Sequence, residues 1–364
     1  MALRNTEDRN MKISISIPTY NRLNFLIKAI EEIKKISDFE EIKLQLAISN
    51  IASEDGTSEY LESLKKEKIN NLEISIFNKK RKEINSNWYY LNNVISNEID
   101  WVWMHGDDDV IIDKDCISLL APFLRDPTIS FIIVPQVKRI GLQSPSHLTG
   151  TLQNMAESYG LHDLLGWVSQ IIVRRQIYHS YAMHHFEITK NVNSREDFIS
   201  KRYSSFPHVN YFFENFSQDK VILVYNKIIE EQVRPEDLNT HNAEPKHNRA
   251  FLEGVFFFGE QVARFLEKKN KKVPLKFFRY VNKNLIFLML DMAINNRTMN
   301  GSRCVPLDAE YKIILQSLIR RVDEISFVRV ALLLLECIEY YGPTKDMPPH
   351  IANLNSAIYN FEID

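Results

Sequence analysis

Hydrophobic period switches back and forth along the first 135 residues, and that alternation limits the fold most. Ile13, Ile15 and Ile17 alternate with Ser14 and Ser16, as a half-buried or central strand does. Leu23, Leu26, Ile27, Ile30 and Ile33 then recur at the 3–4 spacing of one buried helix face, with Asn21 placed to cap it. Ile42, Leu44, Leu46 and Ile48 alternate again; Thr57 to Glu67 reads as a helix and Leu72 to Phe77 as a third strand. Asn87 to Ser96 reads as a helix, Trp101 to Met104 as a strand, a stretch capped by Asp113 or Asp115 and running to Leu124 as a helix, and Ile129 to Val134 as a strand. Strands and helices in turn imply βαβ units around a mostly parallel sheet.

Beyond residue 136 the pattern loosens. Gly166 to Arg175 reads as a strand and Phe206 to Phe216 as a helix opened by Pro207, with Val221 to Tyr225 as a further strand. Past a polar stretch, Phe251 to Lys268, Leu275 to Ile294, Glu310 to Val322 and Ser326 to Tyr341 carry apolar residues at helical spacing, which predicts a C-terminal helical bundle.

Composition excludes several classes. Across 364 residues, 45% are hydrophobic and 25% charged, which is that of a folded chain rather than a disordered one. A net charge of −2 offers no general attraction to nucleic acid. Cys116, Cys304 and Cys337 are odd in number and far apart, so they read as buried apolar residues in a reducing compartment. Met1 to Lys12 are polar and lack an apolar signal core, with 1–11 expected as a disordered or extended N-terminus, and the longest apolar runs are too short to cross a bilayer; the expectation is a cytoplasmic protein.

Three segments fall where strands of a parallel sheet end, which is where such sheets bind ligands. Pro18-Thr19-Tyr20-Asn21-Arg22 closes the first strand, Ser49-Asn50 the second, and Gly106-Asp107-Asp108-Asp109 the fourth. Stacked carboxylates call for a cation, and hard oxygen ligands suit Mg²⁺ or Mn²⁺. If the triplet is extended, Asp107 and Asp109 face one ion and Asp108 turns aside. Tyr20 is placed to stack on a base. Three other groups read as solvent-facing: Glu230 with Glu231, His184 with His185, and His241. His105 reads as a residue that packs ahead of the acids.

On Ser16-Ile17-Pro18-Thr19-Tyr20-Asn21-Arg22, Ser53-Glu54-Asp55-Gly56-Thr57 and Gly106-Asp107-Asp108-Asp109, the chain resembles the family 2 glycosyltransferases of GT-A fold, the type that builds bacterial surface polysaccharide. The resemblance covers about residues 12–232 and implies a GT-A domain there, with a nucleotide-binding half 12–135 and an acceptor half 136–232. Residues 233–364 form a helical region outside it. It implies a nucleotide-sugar donor, UDP favoured and dTDP, CDP or GDP open, bound by Pro18, Thr19, Tyr20, Asn21, Arg22, Asn50, Asp107, Asp108 and Ser169. It also implies Mn²⁺ or Mg²⁺ on Asp107 and Asp109, and a glycan or lipid-linked glycan as acceptor.

Two departures stand out. Asn50 lies where an aspartate often meets the base, which loosens the uridine expectation. The Glu-Asp pair that usually opens the base-bearing helix is Pro207-His208 here, making His208 the inferred base, with Asp197 of Arg195-Glu196-Asp197 as its competitor. Rival readings are a sugar nucleotidyltransferase and a catalytically degenerate scaffold. The basic, aromatic stretch 268–283 suggests peripheral membrane contact, and the C-terminal helices suggest a homodimer.

Overall fold

The computed structural model describes residues 11–37, 39, 41–79, 87–135, 146–192, 201–232, 245–280, 283–295 and 309–341. In chain order the first elements are β1 (Met11–Thr19), α1 (Leu23–Lys35), β2 (Ile42–Ile51), α2 (Thr57–Leu64), β3 (Leu72–Lys79), α3 (Asn87–Val94) and β4 (Trp101–Met104). Then come β5 (Asp109–Ile111), α4 (Cys116–Arg125), β6 (Ile129–Ile133), β7 (His147–Thr151), α5 (Leu152–Tyr159), α6 (Leu161–Leu165), β8 (Ile171–Arg174) and α7 (Arg175–Thr189). After these are α8 (Pro207–Phe216), β9 (Lys220–Val224), β10 (Ile229–Glu231), α9 (Pro245–Lys268), β11 (Arg279–Tyr280), β12 (Lys283–Asn284), α10 (Leu285–Asn295), α11 (Ala309–Ile319) and α12 (Ile325–Tyr341).

The main sheet has eight strands in the order β3-β2-β1-β4-β8-β6-β9-β7. From β3 to β4 every pairing is parallel; β8 runs antiparallel to both β4 and β6, β9 parallels β6, and β7 opposes β9. The sheet is therefore mixed but mostly parallel and flanked by helices, the predicted α/β class. β1 is central, and its residues show why. Ile13, Ile15 and Ile17 are fully buried on one face, while Ser14 and Ser16 are fully buried on the other and bond to each other at 3.1 Å. A strand covered on both faces needs its polar residues small and mutually satisfied. α1 covers one face through Leu26, Ala29, Ile30 and Ile33, all fully buried. From β1 the chain moves outward to β2 and β3, and β4 returns to the other side of β1. That reversal opens a crevice at the carboxyl ends of β1 and β4.

The residues divide into two compact units. One comprises residues 1–152, 167–193 and 218–232 and contains the main sheet; the other comprises 153–166, 194–217 and 233–364. The second unit thus takes everything after residue 232 and also draws α6 and α8 from inside the 12–232 segment. Its packing is aromatic: Phe213 meets Phe265 and Phe277 with ring centroids 5.0 and 5.4 Å apart. His162 lies against Tyr280 at 3.9 Å and Phe206 at 4.5 Å, and the adjoining Asp163 carboxylate meets Arg279 Nε at 3.0 Å.

Several local expectations change. α1 starts at Leu23 with Arg22, not Asn21, as its first flanking residue. Asn21 takes a left-handed backbone (φ 51°), and the helix's Leu23 N–H donates to Asp55 Oδ2 at 2.8 Å instead. The strand expected over 166–175 is β8 alone, preceded by a 3₁₀ turn at Val168–Gln170 and followed directly by α7, whose mixed surface hid its period. The helix expected from Leu275 begins at Leu285; Leu275–Phe278 is a 3₁₀ turn leading into the β11–β12 pair. Phe277, Phe278 and Tyr280 are buried, so these rings of the 268–283 stretch are core residues and not lipid-seeking ones. His185 is buried rather than exposed, while His184 is exposed as expected; His241 lies outside the described residues.

Candidate active site

Short hydrogen bonds tie the loop after β1 to the loop after β2. Asn21 N–H donates to Ser53 Oγ at 2.9 Å, and Ser53 Oγ–H donates to Asn50 Oδ1 at 2.5 Å. Glu54 N–H donates to Asn21 Oδ1 at 2.7 Å. Asp55 accepts from Leu23 N–H through Oδ2 and from Thr57 N–H and Oγ1–H through Oδ1. Burial, the largest single influence, raises the Asp55 carboxyl, but these donors, the hydroxyl of Thr57 foremost, together hold it below its ordinary range. Gly56 sits at φ 90°, a left-handed angle that side chains avoid, which explains a glycine between Asp55 and Thr57. Asn50 is fully buried, its Nδ2 donating to Ser58 Oγ and Asn78 Oδ1. It braces the loop from beneath, whereas Tyr20 stands 40% exposed at the rim.

The acids lie at the end of β4. β4 stops at Met104 and β5 starts at Asp109, so Asp107 and Asp108 occupy a turn and the two-residue alternation of a strand does not apply to them. The alternation expected to set Asp107 and Asp109 on one side is therefore absent from this turn. Arg22 Nη1 donates to Asp107 Oδ1 at 2.8 Å and to Asp108 Oδ2 at 2.7 Å. Thr19 Oγ1–H donates to Asp107 Oδ2 at 2.8 Å, which closes the crevice between β1 and β4 with a direct bond. Asp109 is instead held by Ser169, whose hydroxyl donates to Asp109 Oδ2 and accepts from Gly106 N–H at 2.7 Å. Ser169 is fixed in turn by its carbonyl, which accepts from the buried Trp103 Nε1 at 2.7 Å. A side chain on Gly106 would meet Asp108 Oδ1 at 2.9 Å and Asp109 Oδ2 at 3.2 Å, so it would press on the carboxylates of the turn.

Electrostatics separate the three carboxyls. Burial raises Asp107 above its ordinary range, and the charge and hydrogen bonds of Arg22 oppose that rise. Asp109 is pushed up to about 7, first by burial and then by Asp108, Glu231 and Asp107, against the Ser169 hydrogen bond. Its Oδ1 is buried without a hydrogen-bond partner. Glu231 enters because β10 pairs antiparallel with β5, setting Glu231 opposite Asp109 and Glu230 opposite Val110. Gln232 N–H then donates to Asp108 O at 2.8 Å. His105, fully buried, donates Nδ1–H to Gly106 O at 2.6 Å, and burial lowers it to about 4, so the ring is neutral.

These residues fit a divalent cation. An orphaned acid oxygen and an excess of carboxylate over guanidinium mark a place where positive charge is favourable. Among the described residues no three His, Cys, Asp or Glu converge as a full cage. Mg²⁺ and Mn²⁺ need none, since they take one or two carboxylates and fill the rest with water and phosphate oxygens.

His208 opens α8 in the other unit, where its Nε2 lies 2.9 Å from Leu165 O. A carbonyl only accepts, so that nitrogen carries the hydrogen and Nδ1 is the atom able to take a proton. Asp197 lies outside the described residues.

Residues 14–185, which include the β1 loop, the acidic turn and Ser169, match the sequence model of Glycosyl transferase family 2. Residues 14–185 are thus the part of the chain that carries the likeness to a glycosyl transferase family 2 domain. Part of the chain is 31% identical over 132 residues to an uncharacterized glycosyltransferase of Mycoplasma genitalium, covering 35% of this chain and 42% of that protein. It is 30% identical over 115 residues to the abequosyltransferase RfbV of Salmonella typhimurium, covering 31% of this chain and 33% of that one. The alignments thus span less than half the length of these curated relatives. The S. aureus TarS 1-349 structure in complex with UDP-GlcNAc aligns over 96% of this chain and 91% of that one with a TM-score of 0.51 at 15% identity, which shows a shared fold.

The sequence found the acids and the β1 loop of this domain but not their bonding. That Arg22 bridges two aspartates, and that Glu231 lies opposite Asp109, are contacts across 85 or more positions. The visible signal was a Thr and an Arg at one strand end facing three acids at another. Read for charge, it would have suggested the pairing.

Proposed function

We propose that the protein transfers a sugar from a nucleoside diphosphate, UDP in the first instance, to a hydroxyl of a glycan or lipid-linked glycan in the synthesis of a bacterial surface polysaccharide. The observation that carries this reading is the Thr19–Asp107 and Arg22–Asp107/Asp108 bonding across the β1–β4 crevice. It brings a loop of backbone N–H groups, an exposed aromatic ring and an acidic turn to one place. The family 2 match, a relative named as an abequosyltransferase and a fold neighbour complexed with UDP-GlcNAc support it.

In this reading Tyr20 stacks on the base and the 18–22 loop receives the ribose and phosphates. Asn50, its amide consumed by Ser53, Ser58 and Asn78, acts by holding that loop. Asp109 through Oδ1, and Asp107 once freed from Arg22, would hold Mn²⁺ or Mg²⁺. When bound, such an ion supplies positive charge against the diphosphate leaving group. The acceptor oxygen attacks C1 as the C1–O bond to the diphosphate breaks. The bond's electrons leave with the diphosphate, and the acceptor proton passes to a base, inverting the configuration. His208 through Nδ1 is the base in this reading, and Asp197 its competitor.

Incubation with UDP-sugars and Mn²⁺ tests the reaction class by its released product. Nucleoside diphosphate is expected; pyrophosphate would point to nucleotidyl transfer, and failure of any nucleoside diphosphate to raise the melting temperature would favour a non-catalytic scaffold. For the base, His208→Ala is expected to lose at least about 100-fold in turnover while donor binding is retained. Normal turnover in that variant, with Asp197→Ala inactive, would transfer the role to Asp197.

A further inference from the structure

We infer that Arg22 is a resident counter-cation of the acidic turn, which a metal ion and a diphosphate displace together, so that the two ligands bind cooperatively. The inference rests on the proposed reading of this crevice as a diphosphate and metal site.

Three observations carry it. Both oxygens of Asp107 already accept a hydrogen bond, Oδ1 from Arg22 and Oδ2 from Thr19, so a cation approaching Oδ1 meets the charge of the guanidinium bound there. One nitrogen, Arg22 Nη1, neutralises both Asp107 and Asp108 and sits where a bridging cation would have to sit. Asp109 Oδ1 is the contrasting atom, buried and without a hydrogen-bond partner. A divalent ion arriving by itself therefore finds the orphaned Asp109 Oδ1 but meets a guanidinium at Asp107 Oδ1 and Asp108 Oδ2.

Phosphate changes that balance. Arg22 is 38% exposed along its side chain, and it flanks the loop that would receive the phosphates. A planar guanidinium matches phosphate oxygens as well as it matches carboxylate. Transfer of Arg22 from the acids to the diphosphate releases Asp107 and Asp108 for the ion, and every charge keeps a partner. Each ligand then favours the state the other needs, and the coupling must be reciprocal.

Mn²⁺ binding to the full chain, followed by electron paramagnetic resonance with and without UDP, reads this coupling without reference to turnover. In the wild type, UDP is expected to tighten Mn²⁺ binding by about tenfold or more. Arg22→Gln should bind Mn²⁺ alone several-fold more tightly than the wild type, with most of the UDP enhancement lost. Arg22→Lys keeps the charge but not the fork, and should fall between them. Were Arg22→Gln to melt at a lower temperature, Arg22→Lys decides: Mn²⁺ affinity no higher than in the wild type overturns the inference. Additive binding of Mn²⁺ and UDP in the wild type would overturn it too, while leaving the proposed function standing. Should the wild type bind neither ligand, the proposed function itself fails.

Discussion

Asp109 carries the sharpest consequence at the scale of single residues. Its carboxyl sits near 7 in the folded chain, raised mainly by burial, against about 3.9 when unfolded. A raised carboxyl stabilises the fold while protonated, so its contribution is complete below about pH 4 and drains away as pH rises toward 7. In EDTA, Asp109→Asn should therefore melt above the wild type at pH 8, with the margin falling as pH is lowered and largely gone at pH 4; an equal margin at pH 8 and pH 4 would contradict the orphaned-acid assignment. Ser169→Ala removes the hydroxyl that opposes the rise and leaves Gly106 N–H without its acceptor. It should cost about 1–3 kcal/mol of stability in urea melts and move the acid limb of the pH–rate profile to higher pH. Of this chemistry the sequence showed the acid triplet and the family motif around it. It could not show that Arg22 joins Asp107 to Asp108, because that follows from the strand ending at Met104 ahead of a turn, one residue-level fact that periodicity does not encode.

Among elements, α1 depends on a cap donated from another loop. Asp55 Oδ2 accepts from Leu23 N–H, and the same carboxylate holds Thr57 at the start of α2. Asp55→Ala should lose about 1 kcal/mol or more in urea melts and weaken nucleotide binding, because both helix starts and the loop between them are pinned by one side chain. In α7, His185 is buried with Nδ1 unpartnered, and burial lowers it to about 4, with the neighbouring His184 adding to the effect. A depressed imidazole stabilises the fold above about 6.5 and that contribution is lost as pH falls through 4, so the wild type should lose melting temperature across that window and His185→Leu should lose less. β1, β2, α1 and α4 were legible because each presents a clean period of 2 or 3.6, whereas β4, Trp-Val-Trp-Met, was legible only as a short apolar run. α7 was not, because it buries His185, Tyr178 and Tyr181 and exposes Met183, which blurs the pattern. The aromatics of 275–280 misled differently: an apolar run reads alike as a helix or as a buried turn.

For the whole molecule, the unit built from 153–166, 194–217 and 233–364 is discontinuous in sequence. No reading of local pattern reveals that α6 and α8 belong with the C-terminal helices, since what unites them is contact between Phe213, Phe265 and Phe277 far apart in the chain. A chain ending at residue 232 should consequently expose the buried faces of α6 and α8 and be recovered aggregated or bind the dye ANS, while the full chain is not; a monomeric, sharply melting fragment would contradict this division. What decides the account as a whole is where a nucleoside diphosphate and its metal settle. A crystal grown with UDP and Mn²⁺ should show anomalous scattering from manganese against Asp109 Oδ1, the diphosphate along residues 18–22 and Arg22 turned onto a phosphate oxygen. Nucleotide bound elsewhere, with Arg22 still joined to Asp107 and Asp108 and no manganese beside Asp109, would contradict it.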